Sequence, residues 1–307
     1  MSIIMIFLAS TLTLALALYI LYLFIPQWDS WLWRAKRKAR ANGRVCCLTF
    51  DDGPSKWTPG VLGILKDSGI RATFFITGER AAAYPDIVRK ISGEGHVIGS
   101  HTMTHRKLTF CSMKTIQREI EECSEAIRSI TGIIPSLFRA PHGFKPPLMR
   151  IRHVIARSPS THYRSLRVNS ATKQSQGHNG IATAPFPKGP RKAESQRDAA
   201  GPRPEEGLRP LYGASNDFFR GLTLIPWTKG IWDTDMPPAD ELIKRVSKKF
   251  EPLEILLLHD GIDNRKIPQN RDSMVEALPK IIEEYRKRGY TFMTISELNP
   301  CLVNRES

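Results

Sequence analysis

A chain of 307 residues, 41% hydrophobic and 24% charged, has room for one barrel-sized domain with extensions. A net charge of +15 would suit nucleic acid or an anionic surface if it were spread over that domain. It is concentrated instead: residues 34–44 carry six Lys/Arg and no acid, and residues 151–221 carry twelve against five Asp/Glu, so the remainder is nearly neutral and nucleic acid is argued against as a partner.

The first 27 residues read as a membrane anchor. Ile3 to Ile25 is a run of 23 residues without a charge, enough to span a bilayer as a helix. No Lys or Arg precedes it, and Ile25-Pro26-Gln27-Trp28 lacks the small residues of a cleavage site, so the expectation is a single-pass anchor that stays on the protein. Residues 28–44 form an aromatic and basic juxtamembrane linker. Trp28, Trp31 and Trp33 suit the interface, and Arg34, Lys36, Arg37, Lys38 and Arg40 follow. Positive charge after the helix favours the cytoplasmic face for what comes next. Cysteine usage leans the same way, since five is an odd number and Cys46-Cys47 sit in an apolar run as buried thiols.

From Val45 strands and helices alternate. Strands are predicted over 45–50, 72–77, 97–100, 136–139, 222–227, 254–259 and 291–295. Helices are predicted over 58–68, 84–93, 112–130, 238–250 and 271–288. In the third of these helices Ile116, Ile120, Cys123 and Ile127 make one apolar stripe. Repeated strand–helix units imply a parallel sheet, whose chemistry gathers at the C-terminal ends of the strands.

Three of those strand ends carry suitable groups. Thr49-Phe50-Asp51-Asp52-Gly53-Pro54 offers two adjacent carboxylates, one able to ligate a metal and the other to accept a proton. The alternative for this stretch is a surface Asp-Gly turn. His101-Thr102-Met103-Thr104-His105 puts two imidazoles four apart. They can reach one ion if the backbone coils after the strand, and one Asp with two His leaves an open position, the pattern of a catalytic zinc site. His259-Asp260-Gly261 ends a third buried strand.

With Arg139-Ala140-Pro141-His142-Gly143, Trp227 through Asp233, and Leu257-Leu258-His259-Asp260, these stretches resemble the five ordered motifs of the polysaccharide deacetylase family, the NodB-homology domain of carbohydrate esterase family 4. The likeness covers about 45–150 and 221–300. It implies a distorted (β/α)7 barrel in an α/β chain, over a catalytic domain of 45–300. It also implies a divalent metal, zinc with Co2+ or Mn2+ as alternatives, on Asp52, His101 and His105. Asp51 is then the general base and His259 the general acid. Arg139 holds Asp51, and Asp233 orients Arg139. The backbone at His142 helps bind the oxyanion, and Trp232 lines the sugar site or packs in the core. Relatives usually have Tyr at the His142 position and an Asp where Gly230 stands. The implied substrate is an N-acetylated amino sugar, as a polymer or linked to lipid, giving a free amine and acetate. A deformylase of a lipid-linked amino sugar and a catalytically impaired binding homologue are the alternative readings.

Residues of about 158–220 interrupt this domain. Seven prolines, scattered glycines and many Arg, Lys, Ser and Gln, without a period of 2 or 3.6, cannot bury enough apolar surface to order themselves. The stretch reads as an insertion: a translated non-coding or frameshifted segment that separates Arg139 from Asp233, or a substrate-binding lid.

Overall fold

The computed structural model describes residues 3–24, 43–143, 222–262 and 270–298. The juxtamembrane tryptophans and basic cluster, and the 158–220 insertion, lie outside them. Helix α1 spans Ile3–Phe24, 22 residues with no charged side chain. Among the described residues, no helix is long and apolar enough to cross a membrane.

The sheet begins with β1 (Arg44–Gly53), followed by α2 (Thr58–Asp67), β2 (Thr73–Ile76), α3 (Gly78–Ala83), α4 (Pro85–Gly93), β3 (Val97–Ser100), α5 (Met113–Thr131) and β4 (Leu137–Phe138). It continues with β5 (Thr223–Leu224), β6 (Lys229–Gly230), α6 (Ala239–Ser247), β7 (Leu253–His259), α7 (Asp272–Lys287), β8 (Tyr290–Phe292) and α8 (Ile295–Leu298). The strand order is β5-β4-β3-β2-β1-β7-β6, with β8 also on β1, and every pairing is parallel. This α/β parallel sheet agrees with the expected barrel class; among the described strands no ladder joins β5 to β6.

Strand β1 is central and buried along nearly its whole length, which is why it reads as a continuous apolar run. Its start pairs with β8 and its end with β2, while β7 follows it from Val45 to Asp51. Leu48, Phe50, Phe74, Leu256 and Leu258 form a core under α2 and α7. The stripe on α5 is buried as expected. Ser112 Oγ accepts from Thr115 N at 3.2 Å to start the helix, and Gly132 at φ 75° ends it. Cys46, Cys47, Cys111 and Cys123 are free thiols, the first two and Cys123 fully buried.

Candidate active site

The two carboxylates of β1 lie inside the strand, not after it as expected, because β1 runs on to Gly53. Neighbouring strand residues face opposite ways, so Asp51 and Asp52 should diverge. Asp52 adopts φ 67°, and the register with β2 shifts between Asp51 and Gly53. That local twist turns both side chains toward one site. Both are buried, at 3% and 5% exposure.

The two histidines meet Asp52. Thr102 and His105 have φ of 70° and 57°, which supplies the coil that the His-x-x-x-His spacing requires. His105 Nε2 is 3.0 Å and His101 Nε2 3.3 Å from Asp52 Oδ1, and the rings stand 5.1 Å apart. His101 Nδ1 is 2.8 Å from the Arg139 carbonyl, which can only accept, so Nδ1 carries the proton. Nε2 is then the atom turned to Asp52: carrying a proton it donates to Oδ1, and without one it offers a lone pair that a cation between the two atoms would join. Burial alone would raise the Asp52 carboxyl, yet hydrogen bonds from His101 and His105 and the charges of His105 and His259 hold it well below the usual range. Ligand atoms of Asp52, His101 and His105 lie within 4.8 Å of one another. One carboxylate oxygen and two imidazole nitrogens fit zinc and other borderline divalent ions.

Asp51 is held apart from that cluster's ligand set. Arg139, 1% exposed, donates from Nη1 to Asp51 Oδ1 at 2.7 Å and to Thr49 Oγ1 at 2.8 Å. Thr49 and Asp51 are two apart on β1 and so share a face. The guanidinium also donates to the carbonyls of Ile225 (3.2 Å) and Pro226 (3.4 Å) and lies 4.1 Å from the centre of the Phe75 ring. Asp51 Oδ2 stays on the side of His101 Nε2, 3.8 Å away. Across the β1–β7 ladder Asp51 is the partner of His259, so register alone sets the two side by side.

Asp233 does not orient Arg139. Its Oδ1 takes His259 Nδ1 at 2.8 Å, and its Oδ2 accepts from His259 N at 2.7 Å. The reason is topological: Asp233 opens a turn just after β6, which pairs with β7 and has four strands between it and β4. His259 is thereby raised from 6.5 to about 9; burial opposes the shift, and Asp233 with smaller contributions from Asp52 and Asp51 drives it.

His142 sits in a turn at φ 55°, its ring 4.8 Å from that of His105. Trp232, at φ 56° and 69% exposed, is not core packing. Arg245 Nη1 donates to the carbonyls of Ile231 and Trp232 at 3.1 Å and fixes that turn. Gly230, where an acid was expected, pairs with Leu257 in β6. Arg139 and the residues after β5 are in direct contact, so the chain between them does not separate the halves of the site.

Some supporting residues were given no role by the sequence, although Thr49 and Asp260 lie within its motifs. Thr49 was legible only as two before Asp51. Glu119 is a buried acid on an apolar helix stripe, receiving Thr104 N at 2.9 Å. Asp260 is fully buried and accepts from Thr58 Oγ1 at 2.6 Å, while Ser55 Oγ donates to its carbonyl. Burial, with the nearby charges of Asp52 and Asp51, lifts its carboxyl to about 7.

Residues 38–154 match the polysaccharide deacetylase family model. A chitooligosaccharide deacetylase of Rhizobium leguminosarum bv. trifolii is 28% identical over 266 residues, 85% of this chain and 94% of that protein. A peptidoglycan-N-acetylglucosamine deacetylase of Bacillus cereus is 40% identical over 103 residues, 33% of this chain and 38% of that protein. Among solved structures, the Bc1960 peptidoglycan N-acetylglucosamine deacetylase superposes with a TM-score of 0.59 at 22% identity, covering 84% of this chain and 88% of that one.

Proposed function

The chain belongs to the polysaccharide deacetylase family, and from that premise we propose that it hydrolyses the N-acetyl group of an N-acetylglucosamine-containing carbohydrate to a free amine and acetate. The observation that carries this is the pairing of an Arg139-held Asp51 with an Asp233-held His259 across one strand ladder, beside the Asp52, His101 and His105 cluster. Nothing in a purely structural role demands that whole set.

A divalent cation held by Asp52, His101 and His105 would polarise the amide carbonyl and acidify a water molecule. The chain's own groups do the rest. Arg139 occupies Asp51 Oδ1, so Oδ2 is the atom free to take the water's proton as general base. Asp233 occupies His259 Nδ1, so Nε2 carries the proton given to the leaving nitrogen. The backbone N–H at His142 is assigned to the developing oxyanion, and the exposed Trp232 ring to a sugar face.

The same reading extends to the N-terminus. Met5, Phe7, Leu12, Leu14, Leu16 and Leu18 are all more than half exposed, on opposite sides of α1. A helix apolar all round suits a bilayer. We therefore propose a membrane-anchored enzyme, with the positive charge after α1 favouring the cytoplasmic face. Polymeric and lipid-linked amino sugars are both candidate substrates.

The test is acetate or formate release by the detergent-solubilised, metal-loaded protein against Asp51→Asn. The substrate panel is N-acetylglucosamine oligomers, peptidoglycan and lipid-linked amino sugars. Release should fall at least about a hundredfold in the variant, while metal binding persists. Activity retained in Asp51→Asn would remove Asp51 as the base.

A further inference from the structure

The pentapeptide carrying both metal-directed histidines is held in a costly conformation. Two of its non-glycine residues, Thr102 and His105, are left-handed, and such strain persists only where the surroundings impose it. The surroundings are visible. The carbonyl of Thr102 accepts from Gly78 N at 3.1 Å, and that of Met103 from Glu79 N at 3.0 Å, both from α3. His101 is fixed separately, its N donating to the Ile76 carbonyl of β2 at 2.9 Å and its Nδ1 facing the Arg139 carbonyl. The last residue before His105 is tied by a side chain. Glu119 Oε2 accepts from Thr104 N at 2.9 Å, and its two oxygens lie 2.9 and 3.1 Å from Thr104 Oγ1.

Glu119 is 4% exposed and stands on the buried stripe of α5 between Ile116, Ile120 and Cys123. A carboxylate on such a stripe weakens helix packing and is costly unless its oxygens are hydrogen-bonded. Its bonds go to the residue next to His105, at the point where the backbone turns left-handed. The packing of α5 is thereby coupled to the position of one ring of the cluster.

We infer that Glu119 is a positioning residue that sets His105, through Thr104, in the geometry that binds a divalent cation together with Asp52 and His101. The inference rests on the metal-dependent reading above, and it assigns Glu119 no contact with substrate. Loss of the tie leaves His101 in place and lets the His105 end of the loop relax, so affinity for the cation falls before the fold does. Outer partners of metal ligands typically contribute about 10–100-fold in affinity.

The experiment titrates the metal-free full-length protein in detergent with Co2+, read by calorimetry and by the visible ligand-field spectrum. Glu119→Ala should weaken Co2+ binding by about 10–100-fold and alter the spectrum, with far-UV circular dichroism unchanged. Glu119→Gln keeps one acceptor for Thr104 N and one donor for Thr104 Oγ1, and should recover most of the affinity. Thr104→Val removes the hydroxyl bond alone and should fall between. A folded Glu119→Ala protein with wild-type Co2+ affinity and spectrum would overturn the inference. If that variant does not fold, wild-type affinity in Thr104→Val would overturn it instead. Failure of the wild type to bind any divalent ion would defeat the functional reading itself, which the same titration detects first.

Discussion

His259 owes its basicity to Asp233. Burial alone would lower its pKa, but the ion pair and hydrogen bond to Asp233, with Asp52 and Asp51 adding, raise it from 6.5 to about 9. The sign follows from that direction. The imidazolium is present below the raised value and lost above it, so a step that needs His259 as acid fails as pH climbs through about 9. A bound dication, repelling the imidazolium, draws that limb lower. The pair also stabilises the fold, fully below the unfolded value near 6.5 and no longer above about 9. Asp233→Asn removes the charge while leaving an acceptor for Nδ1–H. Its alkaline limb in kcat/KM should move to lower pH, with the metal affinity unchanged. Profiles of the two proteins at equal metal loading make the comparison. A limb that stays put would mean that another group supplies the proton.

The strand ends bring these residues together, and there the backbones leave little room. A Cβ on Gly261 would overlap the carbonyl of Asp52, while Gly63, inside α2, has nothing within 4 Å. The two substitutions should therefore act in opposite directions. Gly261→Ala forces the β7 end away from the β1 end and should destabilise by about 1–3 kcal/mol, with activity falling by more than the loss of folded protein explains. Gly63→Ala should stabilise by about 0.5–1 kcal/mol with activity unchanged. Urea denaturation and specific activity of both proteins decide it; a neutral Gly261→Ala would mean that the strand ends tolerate separation. At this scale the sequence conveyed the long elements. Apolar runs such as 45–50 and 254–259 mark buried parallel strands, and their last residues carry the chemistry. The strands expected at 136–139 and 222–227 are present but only two residues long as β4 and β5; β6, too short to show a period, and the helix at 78–83 were not anticipated. The left-handed turns at Thr102 and Trp232 run against the preference of those residue types, and those at Asp52 and His105 are uncommon even for types that tolerate them. The partner of Asp233 was misread because it depends on β6 lying against β7, which residue order alone does not show.

For the whole molecule the question is what the long stretch between Gly143 and Leu222 contributes. The strands before and after it are direct neighbours: Phe138 pairs with Leu224, Thr223 N donates to the Ser136 carbonyl at 2.8 Å, and Ile225 N to the Phe138 carbonyl at 2.8 Å. Arg139, just before the stretch, reaches the carbonyls of Ile225 and Pro226 just after it. The contacts that complete the Asp51 side of the site thus close across the stretch rather than through it. A parallel pair needs a crossover of roughly a dozen residues or more. Residues 144–157 with 221 would still meet that length if 158–220 were removed. The deletion variant should therefore fold with a melting temperature within a few degrees of the full chain, and bind Co2+ with the same affinity. Equal acetate release would make the stretch dispensable to chemistry, and greater release would make it an obstruction to substrate. Loss of release with folding and Co2+ affinity intact would point to a substrate-binding lid. A variant that cannot fold would refute the argument, because β4 and β5 would then depend on residues that their own pairing does not require.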